Sequence, residues 1–236
     1  FPHFSIDSAY VISGGLDHVY LYTRQRSKGN NHIYNMPVEI TFSDGIQDTT
    51  VTIIIDSLTN SYHIPLLMLP TWMALDRNEK ISDAISSNEK IITNIGTVIV
   101  PETNVTLNVQ ATGASQALVR IEHHFVAPDP FTQSNPGIRL SDYHYWSVNG
   151  HFPNGFLTKG LFVYDGSTNA TTGYLDNTFI TGTEDSLMLL YRPGAGHNWE
   201  KIVSVLHNIG PSVTDRRGSF TVDTLLIGEY TLGYYD

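Results

Sequence analysis

Hydrophobic and polar positions alternate with a period of two along most of the chain. In "HVYLYTRQR" Val19, Leu21 and Thr23 share one face, and Tyr20, Tyr22 and Arg24 share the other. "PVEITF" puts Val38, Ile40 and Phe42 together against Glu39 and Thr41, and "TVTIIID" aligns Val51, Ile53 and Ile55. "NVTLNVQ" does the same with Val105, Leu107 and Val109, and "ALVRIEHHF", "DSLMLLYR" and "SFTVDTLLIGEYTLGYY" are further β-rich runs. Successive side chains on a strand point to opposite faces, so this period predicts strands with one buried side. Turn residues separate them: Gly14-Gly15, Gly29-Asn30-Asn31, Asp44-Gly45, Asp165-Gly166 and Pro193-Gly194. Asp44-Gly45 predicts a tight hairpin or short loop. "NWEKIVSVLHNIG" fits a helical stripe through Trp199, Ile202, Val203 and Leu206, yet its β-branched residues and its surroundings predict a strand. A short helical turn is expected around residues 79–87.

Short strands with frequent turns predict an all-β chain of two consecutive antiparallel, immunoglobulin-like β-sandwiches. Gly96 and Pro101 punctuate "NIGTVIVPETN" and place the boundary there, giving domains over residues 1–97 and 98–236.

Composition narrows the function. The 236 residues carry a net charge of −10, with no basic stripe, which argues against nucleic acid and anionic lipid as partners. No run reaches membrane-spanning length, so no membrane insertion is expected. Cysteine is absent, which removes disulfides, thiolate nucleophiles and cysteine-based zinc sites. The opening "FPHF" has neither Met nor a signal-like segment and reads as part of a longer polypeptide.

"FPHFSIDSAY … VYLYTRQRSKG … YNMPVEITFSDG … TVTIIIDS … LLMLPTWMALDRNEKIS" resembles the β-sandwich that follows the catalytic domain in the aminopeptidase N family of zinc metallopeptidases. The likeness covers about residues 1–90. It lies in the Phe1-Pro2 link, the Gln-containing tail of "VYLYTRQR", the Pro37-led strand, and the apolar strand running into Leu75-Asp76. It implies an accessory, non-catalytic role beside an upstream catalytic domain of the same polypeptide, which would hold the zinc. It also implies a secreted, periplasmic or cell-surface location. The family's His-Glu-x-x-His and Gly-x-Met-Glu-Asn motifs are absent from this chain, so no catalytic residue carries over and no cofactor is expected in the chain itself. "SVNGHFPNGFLTKGLFVYDG … EDSLMLLYRPGAGHNWEKI" resembles the β modules with which secreted bacterial surface proteins often end.

Candidate chemistry is sparse. His123 and His124, adjacent on a strand, face opposite sides and cannot hold one ion. Asp142, His144 and His151 form the one conceivable zinc trio, but the stretch lacks a full motif. Asp165, Ser167, Asn169 and Asp176 have calcium-loop spacing, although Ala170 stands where a turn glycine is needed and the last ligand is only an Asp. No Gly-x-Ser-x-Gly elbow occurs, Glu184-Asp185 sits at a strand entry, and "RPGAGHNW" lacks the features of a phosphate loop. Asn104 and Asn169 begin glycosylation sequons that matter only in a eukaryotic secretory host. Tyr143, Tyr145, Trp146 and Phe152 cluster within ten positions. Exposed, they would offer a glycan or a cell-surface protein a binding face; alternate members could equally fill the core.

Overall fold

The computed structural model describes residues 1–13, 17–27, 33–135, 137–169, 171 and 173–235. The predicted turns at Gly14-Gly15 and Gly29-Asn30-Asn31, and Ala170 of the loop, lie outside these residues.

The described chain is all-β and every strand pairing in it is antiparallel. Its first strands are β1 (His3–Ile12), β2 (Asp17–Arg26), β3 (Met36–Ser43), β4 (Asp48–Ile55), β5 (Thr59–Leu66) and β6 (Trp72–Leu75). They form two three-stranded sheets, ordered β1-β2-β5 and β4-β3-β6. Between them lies a core of Phe4, Val19, Leu21, Val38, Ile40, Phe42, Ile53, Ile55, Ile64 and Leu66. Val19, Leu21, Val38, Ile40, Phe42, Ile53 and Ile55 are positions picked out by the period of two; Phe4, Ile64 and Leu66 join them. The β3–β4 hairpin turns on Gly45 at φ +93°, a left-handed conformation that glycine adopts freely. Asp44 fixes the turn by accepting the Ile46 and Gln47 amides at 2.8 and 2.7 Å.

The next strands are β7 (Ile85–Ile92), β8 (Gly96–Val100), β9 (Val105–Thr112), β10 (Ala117–His124), β11 (Ile138–Leu140) and β12 (Tyr145–His151). After them come β13 (Phe156–Asp165), β14 (Leu187–Arg192), β15 (Glu200–Lys201), β16 (Val205–Asn208), β17 (Arg217–Val222) and β18 (Gly228–Tyr235). A seven-stranded sheet runs β15-β14-β18-β12-β10-β7, with β11 also on β18, and faces a five-stranded sheet ordered β16-β17-β13-β9-β8. Leu107, Val119, Ile121, Trp146, Phe162, Leu189, Phe220 and Leu232 are among the residues of their shared core. Pairing thus groups Ile85–Ile92 with the later strands, through the Ile92↔Ala117 to Ile85↔His124 register.

The segment 199–206 is not helical, but neither is it one strand: Glu200–Lys201 and Val205–Asn208 pair in different sheets, with a bend between them. The helical turn expected at 79–87 is not there. Asp76, at φ +40°, instead accepts the Lys80 and Ile81 amides at 3.0 and 2.9 Å, folding the chain back before β7 begins at Ile85. Leu75-Asp76 therefore ends β6, which pairs with β3, and starts the crossing to the second group of strands. No helix among the described residues is long and apolar enough to cross a membrane.

Candidate functional site

The seven-stranded sheet is covered on both faces, and this decides where its polar residues go. On β10, Val119 and Ile121 point into the sheet's own core. Arg120, Glu122 and His124 point the other way, and with Tyr145, Ser147 and Asn149 of β12 they line a seam against the first sandwich. Asn149 donates across it to the Met73 carbonyl at 2.7 Å. His3 on β1 shares a hydrogen bond with His124, Nε2 to Nδ1, at 2.9 Å, and the Tyr145 ring stacks on His124 at 4.2 Å. Burial, then the charges of His124, Arg26 and Arg24, hold His3 well below the usual histidine range, so the His3 ring is neutral in this contact.

Asp129 is the hub of the seam. Its Oδ2 accepts Arg24 from the first sandwich at 2.9 Å and Arg192 from β14 at 2.7 Å. Arg192 is buried, also pairs with Glu229, and lies over the Trp199 ring at 4.3 Å. Burial alone would raise the Asp129 carboxyl; the two guanidiniums outweigh it and bring its pKa down to about 2. Glu122 behaves alike, brought down to about 2 by Arg120 and His124 against the effect of burial.

Asp83 goes the other way. It faces a polar cavity of about 80 Å³ shared with Asp76, Glu79 and Glu122. Burial pushes its pKa up to about 7, the neighbouring acids add to the rise, and the Ile85 amide donating to Oδ1 at 3.1 Å opposes it. A carboxyl raised in the fold favours the native state most below its unfolded pKa of about 4, and that advantage is lost as pH climbs toward 7. Asp83→Asn keeps the acceptor for Ile85. It should stabilise the protein by about 2 kcal/mol at pH above 8, a figure reduced for solvent screening, and by nothing near pH 4. Urea melts at the two pH values check this; an equal effect at both would exclude a titrating Asp83.

The sequence-predicted residues do not converge. Of the four aromatics, Tyr143 alone is exposed, at 48 %. Tyr145 and Trp146 are buried, Trp146 donating its Nε1 hydrogen to the Thr103 carbonyl at 2.8 Å, and Phe152 packs edge-on to Phe156. They present no common surface, because each face of β12 already has a cover. The zinc trio is dispersed: Asp142 pairs with Arg139, His144 bonds to His123 and Asp176, and His151 lies against Gly45 at the other end of β12.

The calcium-spaced residues bind protein donors. Asp165 accepts Ser167 N at 2.9 Å and Arg217 Nε at 3.3 Å, Ser167 Oγ accepts Arg217 Nη2, and Asn169 accepts the Thr171 amide. Asp176 turns inward to His144. A guanidinium stands where a cation would. Among the described residues no group of three or more His, Cys, Asp or Glu is placed to hold a metal ion. Glu184 is buried and accepts the Tyr164 hydroxyl at 2.6 Å, so it is a partner inside the core wall rather than half of an acid pair in a cleft.

The face missed as a unit is the outer side of β1-β2-β5. Tyr10 and Tyr20, directly opposite in register, stack at 4.9 Å with planes 8° apart. The row continues from Tyr20 to His63 at 4.5 Å and His63 to His18 at 4.6 Å, with Tyr22 beside Tyr10 at 6.5 Å. Its signal was the outward phase of "HVYLYTRQR"; only strand register shows that Tyr10 and His63 complete it. The solvent side of an antiparallel sheet is ordinarily polar, which makes five aromatic rings in one row an unusual surface. The chain matches no family model, no curated protein and no solved structure.

Proposed function

We propose that this chain is a non-catalytic, accessory β region of a larger secreted protein of the zinc aminopeptidase type, and that it packs on the upstream catalytic domain through the aromatic row of β1-β2-β5. The row is the observation that carries the reading. Its rings are stacked on one another, so much of their face area is already used and their edges are what remains for a partner. Such edges suit a protein surface with hydrogen-bonding groups, where Tyr is an enriched contact residue, better than a sugar, which needs open ring faces. The buried ion pairs of the seam support the same role, since they bind the two sandwiches to each other and leave the outer sheet to meet a partner. The aromatics at 143–152 offer no exposed platform for an adhesion role.

The test uses the full-length parent polypeptide. Tyr10→Ser with Tyr22→Ser should change the stability of the isolated chain by no more than about 1 kcal/mol, since both side chains are partly exposed. In the parent the pair should lower the melting temperature of the peptidase portion and its turnover of N-terminal residues. Unchanged melting and turnover, or the lack of His-Glu-x-x-His in the coding sequence ahead of Phe1, would sink the proposal.

A further inference from the structure

A cavity of about 370 Å³ opens between the β9–β10–β13 region and the loop that follows β13. Its size is that of a small-molecule site. It lies apart from the seam and from the aromatic row, and its polar groups are held in place from beneath.

The floor is a chain of three buried side chains. Asp176 Oδ1 is 2.9 Å from His144 Nε2, and His144 Nδ1 is 2.8 Å from His123 Nε2. A carboxylate only accepts, so His144 carries its proton on Nε2 and its Nδ1 accepts from His123. The other Asp176 oxygen accepts the Asp165 amide at 3.2 Å. Both carboxylate oxygens and both His144 nitrogens are thereby occupied, which fixes the floor, while His123 Nδ1 is buried without a hydrogen-bond partner among the described residues.

The rim is built with equal firmness. Glu102 and Asn104 line the cavity, and both hold left-handed backbone, at φ +65° and +58°. That conformation costs a non-glycine residue energy and needs support from its surroundings. Thr103 between them supplies it: fully buried, it donates its hydroxyl to the Val100 carbonyl at 2.8 Å and accepts Trp146 Nε1 on its own carbonyl. A carboxylate and an amide thus stand on held backbone at one side of the opening, and the Glu102 carboxylate also accepts the Ser86 hydroxyl at 3.4 Å.

The walls carry Phe125, Tyr164 and Tyr174, the last half exposed at the mouth. No Lys or Arg is among the described residues that line the cavity, and Asp165 is already paired with Arg217. An anion would find no counter-charge. A neutral molecule with several hydroxyls and an apolar face would find carboxylate and amide partners on one side and aromatic rings on the other. We propose that this cavity binds a neutral saccharide, a function independent of the packing role above.

Saturation-transfer NMR on the 236-residue chain tests it, with glucose, galactose, mannose, N-acetylglucosamine and their disaccharides at millimolar concentration as probes. At least one should receive signal, and Tyr174→Ala should weaken its binding about tenfold while Tyr143→Ala, an exposed aromatic outside the cavity lining, leaves it unchanged. Tyr174 is 52 % exposed, so its loss should leave the fold intact, which the amide spectrum of the variant verifies. Three results would overturn the proposal: no signal from any sugar, binding that survives Tyr174→Ala, or signal from choline and lysine in place of sugars. None of them touches the packing role, which is read in the parent polypeptide.

Discussion

Replacing Asp129 by Ala should destabilise the protein by about 3 kcal/mol near neutral pH, because it strips a buried cation of one of its two carboxylate partners. Arg192 is almost wholly buried, and Asp129 and Glu229 are the carboxylates that pair with it. Glu229 alone remains in the variant, and Arg24 keeps only the longer contact to Asp7 at 3.4 Å. The loss combines a buried guanidinium left with one carboxylate instead of two on the second sandwich with a broken bridge to the first. Adding Arg192→Met together with Glu229→Gln should recover much of it, since removing all three charges is far cheaper than orphaning one. The pH dependence has a definite sign. Asp129 is depressed in the fold to about 2, so its contribution is present above its unfolded pKa of about 4 and fades as pH falls toward 2. Denaturant melts followed by tryptophan fluorescence at pH 7 and pH 2.5 should show a large difference between wild type and variant at the first and little at the second. A loss below about 1 kcal/mol at pH 7 would mean that the bridge is solvated.

Trp146→Ala should cost a similar amount, about 4 kcal/mol, by a different route. The indole is fully enclosed: His123 stacks on it at 5.1 Å, Phe162 meets it edge-on at 5.3 Å and His144 at 4.8 Å. Truncation leaves a hole among groups pinned by their own hydrogen bonds, so collapse is restricted. It also leaves the buried Thr103 carbonyl without its donor, a further penalty. Trp146→Phe should recover part of the packing and none of the hydrogen bond. Calorimetry separates the two variants, and equal losses would show that the indole N–H contributes nothing.

These two residues also show how far the sequence could be read. Strand phase was legible wherever one face is buried and the other wet, as in β2, β3 and β9. It failed to say what β12 does because both its faces are covered. Tyr145 and Trp146 looked like candidates for a binding surface, yet their partners His3, His124 and Thr103 lie far off in sequence. The same distance hid the His123–His144–Asp176 chain. That His123 and His124 face opposite ways was plain, but each finds its partner only in the folded sheet, His144 for one and His3 for the other. At 79–87 local composition allowed a helical turn, and the Asp76 carboxylate together with pairing to β10 overrode it. The row on β1-β2-β5 was partly legible, since three of its rings sit on β2 and the other two, Tyr10 and His63, are supplied by neighbouring strands.

The place of β18 has a consequence for biosynthesis. Residues 228–235 lie between β14 and β12, in the middle of the seven-stranded sheet. Until they leave the ribosome, the β7–β10–β12 and β14–β15 portions are separate fragments, each with an unpaired edge where the missing strand belongs. The first sandwich, complete by residue 75, can form during translation, while its neighbour must wait for the final strand to be inserted like a keystone. Nascent chains stalled shortly before residue 228 are therefore the species most in need of a chaperone, for open edges of this kind are what β proteins aggregate through.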